Sequence, residues 1–288
     1  MGKNLEVEVI GKRRRIYGLL IKNEQIVLFL VFIIMCIIYG LLSPVFFTFT
    51  NWMNILRQAS YGAIAAVGVT LTIISGGIDL SIGSVQGFVG TIVALVLVHT
   101  NSLTLAIISG LAAGAAIGFI NGFNITKLGV VDIIATLAML FSLRGAAYLL
   151  TNAAPVPNTT DTIFNWLGTG YILRIPTPVV WTVIIYVIFY VVLKYTVFGR
   201  HIYATGSNKE AAVLTGIKID KVKLLTYTLS GMMAAIAAII LAARMNSGQP
   251  NAGSGFEFTV IAAVILGGCS LTGGKGNLLG TILGVLFL

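Results

Sequence analysis

Apolar runs of about 20 residues recur along the chain from Gln25 to the C-terminus, and only short polar breaks separate them. A helix that crosses the hydrocarbon core of a bilayer needs about 20 predominantly apolar residues. With 57% hydrophobic and 9% charged residues, the chain has more apolar surface than one water-soluble core can cover. The sequence therefore predicts an all-α, polytopic transmembrane helical bundle embedded in a lipid bilayer, and it argues against a water-soluble enzyme.

Hydropathy predicts eight or nine membrane spans. The predicted helices are 26–42, 52–75, 82–98, 103–120, 130–150, 177–193, 224–243 and 258–272, with a ninth that begins near 277. Residues 1–24 form a predicted cytoplasmic tail, and residues 25–288 form the predicted membrane domain, which includes a cytoplasmic loop at 194–223.

The basic residues predict the orientation of the bundle. If the N-terminus lies in the cytoplasm, alternation of the spans leaves the outer segments with only two basic residues, Arg174 and Arg244, while the inner segments carry many lysines and arginines. This asymmetry is the positive-inside pattern of membrane proteins. It accounts for the net charge of +9 better than nucleic-acid binding does, because the basic residues do not gather into a patch beside stacking aromatics.

Two glycine-rich segments, Gly76–Gly83 (GGIDLSIG) and Gly267–Gly274 (GGCSLTGG), share a pattern, and each follows an apolar run. Transporters that arose by internal duplication carry interrupted, glycine-rich helices at matching points of their two halves, close to the translocation path. The pattern therefore predicts two related halves with a membrane turn in each. The candidate translocation residues in the first turn are Gly76, Gly77, Asp79, Ser81 and Gly83.

Two charged residues lie inside predicted apolar surroundings, and each has two interpretations. An ionised aspartate in hydrocarbon costs about 2.5–3.5 kcal/mol, so Asp79 is expected to face protein or water. It could cap the helix that begins at residue 82, or it could line or gate the path. Arg144, within predicted helix 130–150, could snorkel to the outer surface, which is the favoured interpretation, or donate to a polar substrate in the path.

The segment 199–223 is polar and differs from its surroundings. Ser207 and Glu210 have the spacing of a capping box, and Gly216 stands where a C-cap glycine is expected. The pattern predicts a two-turn helix outside the membrane, which must be held by packing because it is so short. It is either an ordinary connector or a coupling helix that seats in a groove of a soluble ATPase. The candidate coupling residues are Gly206, Ser207, Asn208, Lys209, Glu210, Ala211, Ala212 and Gly216.

No pattern of catalytic residues accompanies these features. The residues CSLTGGKG around Lys275 approach a phosphate-binding loop, but Cys269 and Gly276 stand where that motif needs glycine and Ser or Thr. Two histidines and two isolated cysteines give no metal-ligand spacing and no nucleophile–base set. We therefore expect no cofactor, no metal and no enzymatic activity in this chain.

Five stretches resemble the permease family of bacterial ribose-type and related sugar ABC importers. They cover most of the chain in the order found in the family. The stretches are 43–60 (SPVFFTFTNWMNILRQAS), 66–84 (AVGVTLTIISGGIDLSIGS), 134–152 (IATLAMLFSLRGAAYLLTN), 198–223 (FGRHIYATGSNKEAAVLTGIKIDKVK) and 243–281 (ARMNSGQPNAGSGFEFTVIAAVILGGCSLTGGKGNLLGT).

The resemblance implies an inner-membrane permease of about ten helices that pairs with a second permease subunit. It also implies a soluble binding protein outside and an ATPase pair inside, which binds the ATP. By this resemblance, Gly206–Gly216 would form the ATPase-docking segment and Gly76–Gly83 a membrane turn. Ribose permeases resemble the chain most, and another sugar or a furanosyl signal molecule remains the alternative. Family members continue through a tenth helix, so the chain that ends at Leu288 is expected to be truncated.

Two functions of other classes compete with this expectation. A stand-alone channel or ion-coupled carrier needs intramembrane carboxylates for coupling, and Asp79 is the sole candidate in the glycine-rich region. A membrane enzyme that acts on a lipid-linked substrate needs an acid–base pair or a metal motif, and neither pattern is seen.

Overall fold

The computed structural model describes residues 24–157 and 162–288. The predicted tail 1–24 lies outside the described residues except for Glu24, where the first helix begins. The helices, in chain order, are α1 (Glu24–Leu42), α2 (Phe49–Ile74), α3 (Ile82–Thr100), α4 (Leu103–Lys127), α5 (Asp132–Thr151), α6 (Thr162–Thr169), α7 (Thr177–Tyr195), α8 (Val197–Ser207), α9 (Lys209–Leu214), α10 (Ile219–Met245), α11 (Phe256–Leu266) and α12 (Leu278–Phe287).

The prediction of an all-α, polytopic helical protein is confirmed, but the count of eight or nine spans is not. Among the described residues, six helices are long and apolar enough to cross a membrane: α1, α3, α4, α5, α7 and α10. α2 has 26 residues, but its N-terminal half is polar. α11 and α12 have 11 and 10 residues, so each reaches about 16 Å, roughly half of the hydrocarbon core.

The predicted helices 103–120 and 258–272 have the least accurate bounds: the first continues to Lys127, and the second ends six residues too late. In the structure this helix ends at Leu266, and the chain turns at Gly267 and Gly268, where Gly268 has φ +90°. Glycine adopts this left-handed conformation without the steric cost that a Cβ imposes. An apolar run with a Gly-Gly pair near its end was therefore mistaken for one continuous helix.

α10 lies at the centre of the bundle and packs on α2, α3 and α4. Glycines at 110, 114, 118 and 122 of α4 recur every four residues, so they share one face of that helix. A Cβ on Gly114 would lie 2.6 Å from the carbonyl oxygen of Gly231 in α10, and a Cβ on Gly118 would collide with the carbonyl oxygen of Tyr227. The two backbones touch because these residues lack side chains, as is common between membrane helices.

Four two-residue strands lie at one end of α10. β1 (Val156–Pro157) pairs antiparallel with β4 (Ser247–Gly248), and β2 (Tyr171–Ile172) pairs antiparallel with β3 (Ile175–Pro176). We call this the loop end of the bundle. α8 and α9 lie at the other end of α10, which we call the connector end.

Replacing Gly118 with Ala is expected to lower the thermal unfolding temperature of the purified chain in detergent. The new methyl group meets backbone atoms of α10 that cannot rotate away, and such overpacking costs about 1–3 kcal/mol. Gly145→Ala in α5 is the matched control, because a Cβ there meets nothing within 4 Å. Equal unfolding temperatures for the two variants would contradict the close contact between α4 and α10.

Candidate functional site

The first glycine-rich turn begins where α2 ends. Gly76 has φ +74°, and its N–H donates to the carbonyl of Ile73 while the N–H of Gly77 donates to that of Thr72. This is the pattern of a Schellman C-cap, for which glycine is the usual residue. The turn at Gly76 and Gly77 therefore has its own helix-terminating hydrogen bonds.

Asp79 lies at the centre of a buried hydrogen-bond network and is 1% exposed. Its Oδ1 accepts from the backbone N–H of Ser81 at 3.0 Å and from the Ser81 hydroxyl at 2.6 Å. Its Oδ2 accepts from the hydroxyl of Ser230 in α10 at 2.8 Å, and Asn121 of α4 donates to the oxygen of Ser81 at 2.9 Å. The carboxylate therefore joins the turn to α4 and α10.

The backbone of the turn is held by three more side chains. Asp132, at the start of α5, accepts from the N–H of Ile78 at 2.9 Å. Tyr227 donates its hydroxyl to the carbonyl of Ile78 at 3.2 Å, and Lys223 donates to the carbonyl of Gly76 at 3.0 Å. Non-helical backbone at membrane depth must find such partners, because hydrocarbon offers none.

A second non-helical segment, residues 246–255, runs alongside α3. Gly83, Gly87 and Gly90 form the face of α3 that meets it: a Cβ on Gly87 would lie 2.7 Å from the carbonyl oxygen of Pro250, and a Cβ on Gly83 would collide with that of Gly253. Gly83, predicted to belong to the first turn, is therefore the start of a groove in which this segment lies.

Arg144 holds the same segment next to Gly87. It reaches from α5 and donates to the carbonyls of Pro250 at 2.9 Å and Ala252 at 2.7 Å through one nitrogen. The sequence offered snorkelling or a substrate contact for this residue, whereas the structure places its guanidinium on the backbone of another segment. Because β4 pairs with β1 at the beginning of this segment, the segment is fixed at both positions.

A cavity of ≈ 800 Å³ opens beside this segment. Gly253, Ser254 and Gly255 form one wall, and α2, α11 and the end of α12 supply most of the remainder. Ligand sites in proteins have volumes of about 300–1,000 Å³. The volume is therefore suited to a small solute.

A smaller cavity of ≈ 10 Å³ lies on the loop-end side of the large one, lined by Met245, Ser247 and Gln249 among others. Gln86 and Leu241 line both cavities. Asp79 and the glycines 76 and 77 are not among the residues that line either cavity. The first turn thus supports the cavity walls through α3 and α10.

The second glycine-rich turn matches the first one in geometry. After α11, the N–H of Gly268 donates to the carbonyl of Ile265 and that of Cys269 to Val264, as Gly76 and Gly77 do after α2. The matching residue of Gly76 is therefore Gly268 and not Gly267, so the predicted register of the repeat is wrong by one residue.

Both turns meet the connector, by which we mean α8 and α9, at Gly206. The N–H of Gly274 donates to the carbonyl of Ile74 at 2.8 Å. A Cβ on Gly206 would collide with that carbonyl oxygen, and one on Gly273 would lie 2.9 Å from the Cα of Gly76. We call the contact of Gly76, Gly206, Gly273 and Gly274 the glycine junction. It links both halves of the bundle to the end of α8.

The connector differs from its prediction in detail. Asn208, and not Ser207, caps α9, since its side chain accepts from the N–H of Ala211 at 2.9 Å. Ser207 ends α8 and donates to the carbonyl of Tyr203. The predicted capping box is thus wrong by one position, because Asn208 is an equally good cap. Gly216, with φ +81°, ends the helix as predicted.

Comparison with known proteins identifies the class. A family model described as "Branched-chain amino acid transport system / permease component" matches residues 51–288. The ribose import permease protein RbsC of Escherichia coli (strain K12) is 44% identical over 285 residues, which is 97% of this chain and 87% of that protein. RbsC of Bacillus subtilis (strain 168) is 42% identical over 90% of this chain and 81% of its own length.

The L-arabinose transport system permease protein AraH of Escherichia coli (strain K12) is 37% identical over 92% of this chain and 80% of its own length. No solved structure matches the chain. Fold and site together define a multi-pass transport permease of the inner membrane. The chain belongs to the ribose-type sugar permease family of ABC importers.

Sequence patterns missed several residues of this site. Asp132, Tyr227, Ser230 and Asn121 were not among the predicted site residues, because polar residues of these types also occur singly in membrane helices. Gln86 is flanked by apolar residues and glycine, and its isolation in an apolar run was the one available signal.

Replacing Arg144 with Met is expected to loosen the segment 246–255. Two part-buried carbonyls lose their donor, which costs about 1 kcal/mol or more. Hydrogen–deuterium exchange should therefore become faster in peptides from this segment. Arg200→Met, at an exposed position of α8, is the control. Unchanged exchange in the Arg144 variant would show that the two hydrogen bonds do not fix the segment.

Proposed function

We propose that this chain is the membrane-spanning subunit of an ATP-driven importer for a monosaccharide, with ribose as the favoured substrate. The observation that carries the proposal is the 44% identity to the ribose import permease RbsC over 97% of the chain. AraH, named for L-arabinose, is 37% identical, so another pentose is the alternative.

In this proposal the N-terminus and the connector end face the cytoplasm, and the loop end faces outward. The basic residues support the orientation, because Lys209, Lys218 and Lys221 lie in or beside the connector and cytoplasmic loops are rich in lysine and arginine. A soluble binding protein would then deliver sugar at the loop end, and a second permease subunit would complete the membrane part.

The connector end would dock on the partner ATPase. α9 has six residues and only Ala212 of them is buried, whereas Val213 is 57% and Leu214 88% exposed. A large apolar side chain that projects from a polar segment outside the membrane is suited to a groove on a partner. Its Asn208 cap and Gly216 end fix the short helix in the absence of that partner.

ATP would be bound and hydrolysed by the partner. Movement of the docked α9 would pass along α8 to the glycine junction and from there to both turns. Because the junction consists of backbone in direct contact, α8 cannot shift without moving Gly76 and Gly273 or breaking the contact. Rigid-body movement of the two halves would then alternate access to the cavity.

Uptake of labelled ribose is expected only in vesicles that contain this chain together with its ATPase and binding protein, with ATP inside. The chain has no nucleotide-binding motif of its own. Omission of the ATPase should abolish accumulation of the sugar. In the complete vesicles, the fluorescence of an ion-gradient dye should stay unchanged during uptake. Accumulation by the chain alone would contradict the proposal in favour of a stand-alone carrier.

Leu214→Asp is expected to reduce the amount of ATPase that co-purifies with the chain by about ten-fold or more, because a charge would enter an apolar groove. Leu173→Asp is the matched control, since Leu173 is 92% exposed at the loop end. Both variants should show the unfolding temperature of the parent chain. An equal loss of co-purified ATPase in both variants, or no loss in either variant, would exclude α9 as the docking helix.

A further inference from the structure

Gln86 is a buried amide whose nitrogen donors are not used within the described residues. The residue is 2% exposed, and its Nε2 has no hydrogen-bond partner there. Buried side-chain amides are nearly always paired with protein or with ordered water. An amide offers two donors and one acceptor oxygen, so the unpaired group needs a polar partner in the adjoining space.

The adjoining space is a pair of cavities, which we take as part of the translocation path of the proposed function. Gln86 and Leu241 line both the cavity of ≈ 800 Å³ and the one of ≈ 10 Å³. They therefore lie between the two cavities, and we call this position the partition. The smaller volume is close to that of a single water molecule, so a sugar cannot pass unless the partition opens.

The walls of both cavities favour a neutral, hydroxylated solute. Within the described residues, no Asp, Glu, Lys or Arg lines either one. Gln58, Ser254 and Thr259 supply polar groups in the larger cavity, and Tyr61 and Phe256 stack with their ring centroids 6.0 Å apart. Amides and hydroxyls bind sugar hydroxyls, and an aromatic wall accepts the C–H face of a sugar ring.

The position of Gln86 is fixed by its surroundings. It lies on α3 one turn after Gly83, beside the segment that Arg144 holds. A Cβ on Gly253 would lie 2.9 Å from its Oε1, and Gly253 has φ +70°. The Oε1 of the amide therefore packs against backbone that only glycine suits.

We propose that Gln86 is a specificity-determining residue of the path, which binds a hydroxyl group of a neutral pentose at the partition between the two cavities. Leu241 faces it as the apolar side of the same partition. The inference rests on the proposed function, and it deepens that function by naming the residue that recognises the solute within the membrane.

The test is uptake of labelled ribose and L-arabinose by vesicles that contain the chain, its ATPase and its binding protein. Gln86→Met keeps the length of the side chain and removes its hydrogen bonds, so the rate of uptake should fall about ten-fold. Gln86→Asn keeps the amide and should restore part of the rate. Gln25→Met, the same change on α1 at a position that lines neither cavity, should stay within about two-fold of the parent.

A second readout separates recognition from folding. All variants should keep the parent's unfolding temperature and its co-purified ATPase, and the sugar concentration at half-maximal uptake should rise in Gln86→Met alone. If the Gln86→Met variant is unstable, the test uses the Gln86→Asn variant. Reduced uptake at the parental unfolding temperature then supports the role of Gln86, and parental uptake contradicts it.

The outcomes are distinct. Parental uptake in both Gln86 variants would overturn the role of Gln86 and leave the proposed function intact. If the parent carries only L-arabinose, ribose is not the substrate. The Gln86 variants are then compared with the parent in L-arabinose uptake, which still tests the role of Gln86. If the parent carries neither pentose, the solute class is wrong, and the inference fails together with the function.

Discussion

Direct contact between backbones at glycines is the constraint on which this bundle depends. In the glycine junction, Gly206 at the end of α8 touches the carbonyl of Ile74, and Gly273 touches Gly76. Any side chain at these positions would separate the connector from the turns. In lipid no hydrophobic force drives helices together, since the lipid tails are as apolar as the side chains, so close packing of small residues supplies the attraction. The same device joins α4 to α10 and α3 to the segment 246–255.

Close packing alone would leave the broken helices with unpaired backbone groups. In the turn after α2, these backbone groups bond to Asp132, Tyr227 and Lys223. In the segment 246–255, they bond to Arg144 and, through the pairing of β4, to β1. Asp132, Lys223 and Arg144 therefore serve backbone that lacks helical partners. They cost little in this role because each of the three has a partner on the protein.

Much of the fold could be predicted, because long apolar runs fix the helices and glycine fixes their ends. Five helices lie within three residues of the predicted bounds: α1, α2, α3, α5 and α7. α4 continues seven residues beyond its predicted end, and α10 begins five residues before its predicted start. The end of α11 was predicted too late because hydropathy does not detect a Gly-Gly turn inside an apolar run. The cap of α9 was misplaced because Ser207 and Asn208 both suit an N-cap, and only the end of α8 decides between them. Side-chain partners such as Asp79 and Ser230 come from distant parts of the chain, and which polar residues meet cannot be read from a single sequence.

The position of Asp79 bears on how the path is driven. A carboxylate that couples a cation or proton to transport must reach the path, but Asp79 accepts three hydrogen bonds from serines and does not line the cavities. Its network ties the turn to α4 and α10. A path whose described walls carry no charge, and whose turns are joined to the connector by backbone contact, is suited to mechanical drive from outside the membrane. In the proposed function, the carboxylate would tie together the helices that move, and a partner would supply the chemistry that drives them.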